Sequence, residues 1–385
     1  MPTIHWLGAG LSSAPGIRRL AAGNTPLILW NRTASHAAAV VAGLSSPPEI
    51  RTLDLDALAA VIRRGDVLVS MLPADMHLQI ARLALDNGAH FVSSSYIAPE
   101  MLALHDEGQQ RGLCLVNEVG LDPGIDHLLA HRLLHQYRPR HRPEHRLRFR
   151  SWCGGFPALP NDFRYKFSWS PVGVLRALRA PSRCLQNGRE TVVQRPWLGL
   201  SRYDAELPAG RESFEAYANR DSLPFIAQYG FDPSWQVEQF VRGTLRLDGW
   251  SAAWQPLFEE LQSLEGEAGE TRLQEIGAEL WHNYAYAEGE ADRVVLCVEL
   301  EALEGGQPVW HGGLCMDARG NEKGSAMGRL VSHTVSLAVD SVLAGELATG
   351  VSAAPSDPAL IDAWFAALSE LGDEVHPLPG AQLQT

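Results

Sequence analysis

Residues 8–13, GAGLSS, put Gly8 and Gly10 at the first two positions of G-x-G-x-x-G, with Ser13 at the third. Such a loop lets a strand turn sharply into a helix while its backbone comes close to a pyrophosphate. The helix N-terminus beyond it offers N–H donors and the positive end of a dipole. The context fits, because the apolar run TIHWL precedes the loop and Ile17, Leu20 and Ala21 follow it at helical spacing. Gly8, Gly10, Leu11, Ser12 and Ser13 are therefore expected to bind a dinucleotide; the alternative is a plain strand–helix turn. The second apolar run, TPLILW, ends in Asn31, Arg32 and Thr33, with no carboxylate to hold a ribose 2′-hydroxyl. An arginine with two small polar neighbours suits a 2′-phosphate, so NADP is expected, with NAD as the alternative. The competing reading leaves Arg32 as a solvated loop residue. Ser70, Met71, Leu72 and Pro73 end the fourth apolar run, at the sheet edge along which such a cofactor continues, and Asp54, after the third, is placed towards the adenine. No P-loop lysine follows the glycines, so nucleotide hydrolysis is not indicated.

These residues need a scaffold that brings strand ends together. Short strands too apolar for a half-exposed sheet alternate with helices over about the first 120 residues, the pattern of a doubly wound parallel sheet of one domain. The whole chain has 385 residues, enough for two or three domains at roughly 150 residues each. From DPGIDH onward the character changes. DPGIDHLLAHRLLHQYRP reads as one helix, with Asp122 as N-cap and Pro123 at its first position. An alternating strand over 146–157 follows, then a strand-to-helix step at YKFSWSPVGVL. Residues from about 205 to 285 read as mostly helical, followed by two paired strands, a long apolar helix from 325, and a tail expected to fray. The expected division is a Rossmann domain of 1–122 plus about 325–385, and an α/β domain of 123–324 with a helical insertion at about 205–285.

Composition narrows the function classes. There are 45 acidic and 32 basic side chains, a net charge of −13, which argues against non-specific nucleic-acid binding. No apolar stretch approaches the ~18 residues of a membrane span, and MPTIHWLGAG lacks the pattern of a secretory signal. The five cysteines (Cys114, Cys153, Cys184, Cys297, Cys315) are scattered without CxxC spacing, so a reducing cytoplasm is expected, with neither disulfide framework nor zinc ribbon. His127, His131 and His135 recur at four-residue spacing without a Glu or Cys to complete a metal site, and no metal is expected. The basic strand Arg146–Arg150 is read as Leu147 and Phe149 facing a core, with the arginines turned to solvent or acids.

Several strings exceed what a dinucleotide fold requires: SSSYIAPEM, NEVGLDPGIDHLLA, SWCGGFP, YKFSWSPVGVL, NRDSL and VRGTLR. In this order, from about residue 4 to about residue 350, they resemble saccharopine reductase, the glutamate-forming saccharopine dehydrogenase family. NEVGLDPGIDH and YKFSWSP are long enough to be specific. The resemblance implies a Rossmann domain, a mixed α/β catalytic domain with a helical insertion, and a C-terminal helix returning to the first domain. It implies oxidation of saccharopine at a C–N bond, giving an imine that water cleaves to glutamate and 2-aminoadipate 6-semialdehyde, or the reverse. A homodimer is implied as well.

The matching motifs supply the substrate candidates. The resemblance implies Tyr96, Asp122 or alternatively Asp126, and Cys153 in acid–base work and pocket lining, and Asp126, Gly154, Trp169, Arg220, Arg242 and Arg246 in substrate binding. Arg242 and Arg246 share one face whether on a strand or a helix, so both can address one anion. Each candidate also has a bland reading: Tyr96 as packing, Asp122 as a cap, Asp126 as an acid in a first turn, Cys153 as a small buried hydrophobe, the arginines as partners of acids such as Asp221. The sequence departs from the family at Ser13 and where a family Asn-Pro-Leu stretch reads Asn161, Asp162 and Phe163. The remaining alternatives are a dehydrogenase of another carboxylated secondary amine, such as an opine or a polyamine precursor, and a non-catalytic NADP-binding scaffold.

Overall fold

The structure, a computed structural model, describes residues 1–378. In chain order the first elements are β1 (Ile4–Leu7), α1 (Ala14–Ala21), β2 (Leu27–Asn31), α2 (Ala34–Val41), β3 (Glu49–Thr52), α3 (Leu55–Ala59), β4 (Val67–Ser70), α4 (His77–Asp86), β5 (His90–Ser93), α5 (Pro99–Leu102), α6 (His105–Arg111) and β6 (Cys114–Val116). They continue as α7 (Ile125–Tyr137), β7 (Arg146–Pro157), α8 (Pro171–Arg179), β8 (Ser182–Gln186), β9 (Arg189–Val193), β10 (Ser201–Leu207), β11 (Gly210–Ala218), α9 (Pro224–Gln228), β12 (Gln236–Leu247), α10 (Trp250–Ser263), α11 (Gly266–Tyr284), β13 (Asp292–Glu304) and β14 (Gln307–Arg319). The last are α12 (Ala326–Ala344), β15 (Gly350–Ser352), α13 (Pro358–Glu370) and β16 (His376–Pro377). The chain divides into two compact units, Met1–Leu128 with Glu322–Leu368, and Leu129–Asn321 with Ser369 onward. No helix among the described residues is long and apolar enough to cross a membrane.

The first unit holds a parallel seven-stranded sheet of order β15-β6-β5-β4-β1-β2-β3. Its inner strands read as unbroken apolar runs because helices cover both faces, and β1 and β4 are buried along their whole length. The order reverses between β1 and β4, which places the switch crevice at the glycine loop. A buried chain pins three strands: Trp30 Nε1 donates to His5 Nδ1 (3.2 Å), and His5 Nε2 donates to Asp66 Oδ2 (3.2 Å). Asp66 also accepts from the backbone N–H groups of Thr3 and Arg63. Burial lowers the pKa of His5, against the opposing pull of Asp66.

The second unit is built on a mixed nine-stranded sheet, β10-β11-β12-β7-β13-β14-β16, with β8 and β9 attached beside β12. One face buries Trp152, Phe156, Phe214, Val241, Leu245 and Cys297. A separate aromatic core gathers Tyr165, Phe167, Tyr217, Trp250, Trp254 and Phe258 with the apolar sides of α8, α10 and α11. Leu147 and Phe149 are buried as expected from the alternation, while Arg148 pairs with Glu238 and Arg150 with Glu299.

Several expectations need correction. Of the anticipated helical stretch, α10, α11 and the short α9 are helix; the rest of residues 201–247 carries the strands β10, β11 and β12. Their charges alternate with buried residues at a period of two, as in Arg202, Asp204 and Glu206 around buried Ala205. YKF forms no strand and leaves only a single bridge from Phe167 to Ala285. β15 was not foreseen. The return segment ends at Leu368 rather than running to 385, because β16 pairs with β14. The tail expected to fray therefore contains a short strand, and its residues 379–385 lie outside those described.

The return of α12 to α1 rests on a missing side chain. A Cβ on Gly16 would lie 2.3 Å from the Ser332 carbonyl oxygen, and Gly16 N–H donates to Ser332 Oγ (2.9 Å). Gly16→Ala is expected to destabilise the first unit by roughly 1–3 kcal/mol, seen as a lower urea midpoint for its transition. An unchanged midpoint would show that the two helices yield without cost.

Candidate functional site

In the first unit the glycine loop leaves β1 at its carboxyl end. Gly8 has φ +99°, and a Cβ there would meet the Met71 carbonyl oxygen at 2.8 Å, so only glycine fits. A Cβ on Gly10 would meet nothing within 4 Å, so this side of the loop faces open space. Leu11 is exposed, Ser12 half-buried, and buried Ser13 caps α1 without a side-chain hydrogen bond. Arg32 and Thr33 stand exposed at the end of β2. An open glycine turn at a helix N-terminus, beside an exposed guanidinium, fits a dinucleotide with a 2′-phosphate.

Three expected cofactor contacts do other work. Asn31 ties the loops together: Oδ1 accepts from Ala9 N–H (3.1 Å) and Nδ2 donates to Thr33 O (2.8 Å). Asp54 caps α3 by accepting from Ala57 N–H (2.8 Å). Ser70 is fully buried, with its hydroxyl 2.8 Å from His77 Nδ1, while His77 Nε2 lies 2.8 Å from Ser95 Oγ. Leu72 is half-buried and Pro73 exposed. His77 was not singled out by the sequence, because nothing in its surroundings marks it before the fold brings Ser70 and Ser95 to it.

The string NEVGLDPGIDH explains itself as a tight loop. Asn117 is fixed on three sides: its N–H donates to Ser352 O, its Nδ2 to Leu115 O, and its Oδ1 accepts from Ser93 Oγ. Gly120 and Gly124 back onto each other, and a Cβ on Gly124 (φ +146°) would lie 2.1 Å from Gly120 O. Asp122 is therefore not the N-cap of α7, and Pro123 is not its first residue; the helix starts at Ile125 because the loop spends residues 120–124 on its own turn. Asp122 is half-buried and accepts from Tyr96 OH at 3.1 Å. Asp126 is wholly buried, with Oδ1 accepting from Gly124 N–H (2.7 Å), so it shapes the loop instead of facing a substrate. Tyr96 also borders a cavity of about 370 Å³ with Asp75, His77, Glu100 and Asn117. His127 has two carboxylates at hand that the sequence did not reveal: its Nε2 donates to Glu118 Oε2 (3.1 Å), and Nδ1 lies 3.5 Å from Asp126 Oδ2. Among the described residues, no three potential ligands gather as a metal cluster.

In the second unit, β7 and β12 run parallel, with Arg242 beside Ser151 and Thr244 beside Cys153. Alternation puts Ser151, Cys153, Arg242, Thr244 and Arg246 on one face, all but Thr244 nearly buried. The Arg242 guanidinium lies 3.9 Å from the Phe225 ring centre. That of Arg246 lies 4.8 Å from Tyr165 and 5.4 Å from Trp250. Arg246 is 7% exposed, no carboxylate among the described residues pairs with it, and its Nε has no hydrogen-bond partner. Burial pushes the neighbouring Tyr217 phenol up, with Arg246 opposing.

The other candidates of this unit fare differently. Gly154 does answer a close approach, but from protein: a Cβ there would meet Leu245 O at 2.5 Å, so the expected substrate contact is a strand contact. Trp169 is 41% exposed and lays its ring where a Cβ on Gly173 would sit. Arg220 adopts φ +55° after β11, and the neighbouring Asp221 pairs with Arg183 (2.6 Å). A cavity of about 530 Å³ opens beside Trp152 and Val241, on the opposite face from the arginines. Its charges Arg148 and Glu238 pair with each other, so it offers little attraction to an anion.

Two outcomes follow for the first unit. Arg32→Ala is expected to raise KM for NADP by ~10-fold or more while leaving NAD within about 3-fold; equal effects on both would remove the guanidinium from cofactor choice. Burial lowers the pKa of His77 from 6.5 to about 4, with Asp75 pulling weakly the other way. The unfolded chain then binds the extra proton, so stability is intact above pH 6.5 and declines as pH falls to about 4. That is roughly 3 kcal/mol, in the same direction as the burial-lowered His5 and His90. Urea midpoints across this window should show a shallower slope for His77→Gln than for the unaltered protein.

Comparison with known proteins places this geometry. Residues 4–116 match the family model described as the saccharopine dehydrogenase NADP binding domain, and residues 120–373 match the saccharopine dehydrogenase C-terminal domain. Saccharopine dehydrogenase [NADP(+), L-glutamate-forming] of Saccharomyces cerevisiae is 35% identical over 253 residues, which is 63% of this chain and 54% of that protein. The enzyme of the same name from Pyricularia oryzae is 31% identical over 252 residues, 64% of this chain and 55% of that protein. The mitochondrial alpha-aminoadipic semialdehyde synthase of Rattus norvegicus is 32% identical over 259 residues, 64% of this chain and 27% of that protein. The matched regions thus span about half the length, or less, of these relatives. A solved structure of apo saccharopine dehydrogenase (L-Glu forming) from Saccharomyces cerevisiae superposes with a TM-score of 0.79 at 25% identity, covering 98% of this chain and 100% of that one. With the two family models matched in succession over 4–116 and 120–373, the chain belongs to the saccharopine dehydrogenase family, and its first unit carries that family's NADP-binding domain.

Proposed function

We propose that this protein is an NADP-dependent oxidoreductase that interconverts saccharopine with L-glutamate and 2-aminoadipate 6-semialdehyde. The observation that carries this reading is Arg246, a buried guanidinium in an aromatic box with no carboxylate of its own. Burying a charge without a counter-charge is costly, and an anionic ligand supplies the missing partner. Saccharopine carries three carboxylates. Arg242, four residues away on the same strand face, allows two of them to be held in fixed geometry.

Bound NADP supplies the hydride acceptor. The substrate carbon next to the secondary amine, on the aminoadipate side, loses a hydride, and the nitrogen loses a proton. The resulting imine adds water, and the C–N bond breaks to leave the amine of glutamate and the aldehyde. The Tyr96–Asp122 pair suits the proton transfers at the nitrogen and the water, since a phenol donating to a carboxylate can pass a proton in either direction. Cys153, nearly buried beside Thr244, lines the arginine face. Near the stretch where the sequence departs from the family, Phe163 stacks on Tyr284 at 4.0 Å and Asn161 hydrogen-bonds both backbone groups of Tyr165. A reducing cytoplasm is consistent with five buried cysteines that form no disulfide among the described residues. The homodimer rests on family resemblance alone.

The test mixes purified protein, saccharopine and either NADP or NAD, and follows nicotinamide absorbance. Reduction with NADP is expected; none with either cofactor would end this reading, and turnover of another carboxylated secondary amine in its place would favour an opine or polyamine-precursor enzyme. Arg246→Met is expected to lower kcat/KM for saccharopine ~100-fold or more while NADPH affinity stays within about 3-fold, with no loss of thermal stability. A variant that melts early and loses both properties would assign Arg246 to folding.

A further inference from the structure

Tyr96 and Asp122 are held at hydrogen-bond distance by neither of their own elements. Tyr96 follows the end of β5 by three residues, and Asp122 lies in the loop after β6. The residue connecting them is Glu118, at φ +55° and 3% exposed. Its backbone N–H donates to Ser95 O at 3.0 Å, and its Oε1 accepts from Ile97 N–H at 3.0 Å. One residue therefore grips the chain immediately before and immediately after Tyr96. Its other oxygen accepts from His127 Nε2 at 3.1 Å, in the first turn of α7, directly behind the loop that presents Asp122.

We infer that Glu118, supported by His127, is a positioning residue that sets the Tyr96–Asp122 hydrogen bond. The left-handed backbone of Glu118 supports this. A non-glycine residue is rarely found there, and it persists where the surroundings over-determine it. Here the unusual φ turns the N–H towards Ser95 while the side chain reaches Ile97, so both grips come from one conformation. Burial adds rigidity, because each unmade bond would leave a polar group without water. Glu118 holds the backbone on both sides of Tyr96, so its effect on the reaction passes through Tyr96. The inference rests on the proposed reaction only in assigning proton transfer to Tyr96 and Asp122.

The experiment compares Glu118→Ala, Glu118→Gln and His127→Phe with the unaltered protein. Glu118→Ala is expected to lower kcat for saccharopine by ~10–100-fold, with KM and NADPH affinity within about 3-fold. Glu118→Gln keeps an acceptor for Ile97 N–H and should recover to within about 5-fold of the unaltered kcat. If the Ala variant does not fold, the decision passes to His127→Phe, expected to lose about 3–10-fold in kcat with KM unchanged. A kcat that does not move in the folded variants, or one that falls together with NADPH affinity, overturns the inference. A substrate-free readout separates it from the assigned reaction. In protein labelled with 3-fluorotyrosine, the Tyr96 signal, assigned by its loss in Tyr96→Phe, should shift in Glu118→Ala and return towards its original position in Glu118→Gln. An unmoved Tyr96 signal overturns the inference even where saccharopine is not turned over.

Discussion

Backbone packed directly on backbone is the constraint from which the functional geometry follows. Gly8 lets β1 lie against the carbonyl of Met71, Gly16 lets α1 lie against α12, Gly124 folds onto Gly120, and Gly154 lets β7 close on β12. At each place a single methyl group would enter another residue's main chain, where nothing can rotate aside. These contacts leave no slack. The glycine turn, the Asp122 loop and the arginine strand are therefore fixed by chain approach, before any side chain adds its hydrogen bonds. Only Gly10, of the loop glycines, meets open space, and it is the one whose openness a ligand needs.

Much of the first unit was legible because its signals are local. Continuous apolar strands, a glycine turn and helical spacing each report on a few neighbouring residues, and together they give the parallel sheet. Ser70 and Asp54 misled for the same reason: a polar residue at a strand end looks available until the fold shows its partner, His77 in one case and a helix N-terminus in the other. Asp122 and Pro123 form a good local cap, but the pairing of Gly120 with Gly124 outweighs it. The stretch from 201 to 247 was misread because charge density resembles an exposed helix. Its period of two emerges only when the burial of Ala205 and Leu207 between the charges is known. β15 is three residues long and gains its identity entirely from β6. The motif strings drew attention to Tyr96, Asp122, Cys153, Arg242 and Arg246, but not to Glu118 and His127, whose hydrogen bonds join separate loops.

The two units handle buried charge in opposite ways. In the first, Asp66, Glu118 and His127 are surrounded by donors and acceptors, so each lone pair or proton finds a use. In the second, Arg293 is paired with Asp317 and Glu212, whereas Arg246 is given rings, the Tyr217 hydroxyl and the Leu245 carbonyl. Aromatic faces stabilise a guanidinium without consuming its directional donors. That is a way to keep a cation in a dry place and still leave it able to grip a planar anion. It implies a standing cost in stability, concentrated where recognition occurs.

The split composition of the first unit bears on how the chain acquires its shape. During synthesis β1 to β6 emerge early, but α12 and β15 follow only after every strand of the second sheet except β16 has been made. Until then β6 presents an unpaired parallel edge, and the face of α1 around Gly16 lacks the helix it was shaped to receive. An exposed edge in a long-lived intermediate invites association with other chains. The nascent protein would therefore depend on chaperone protection for the time needed to translate some two hundred further residues, and a truncation before α12 would yield a glycine turn without a finished domain around it.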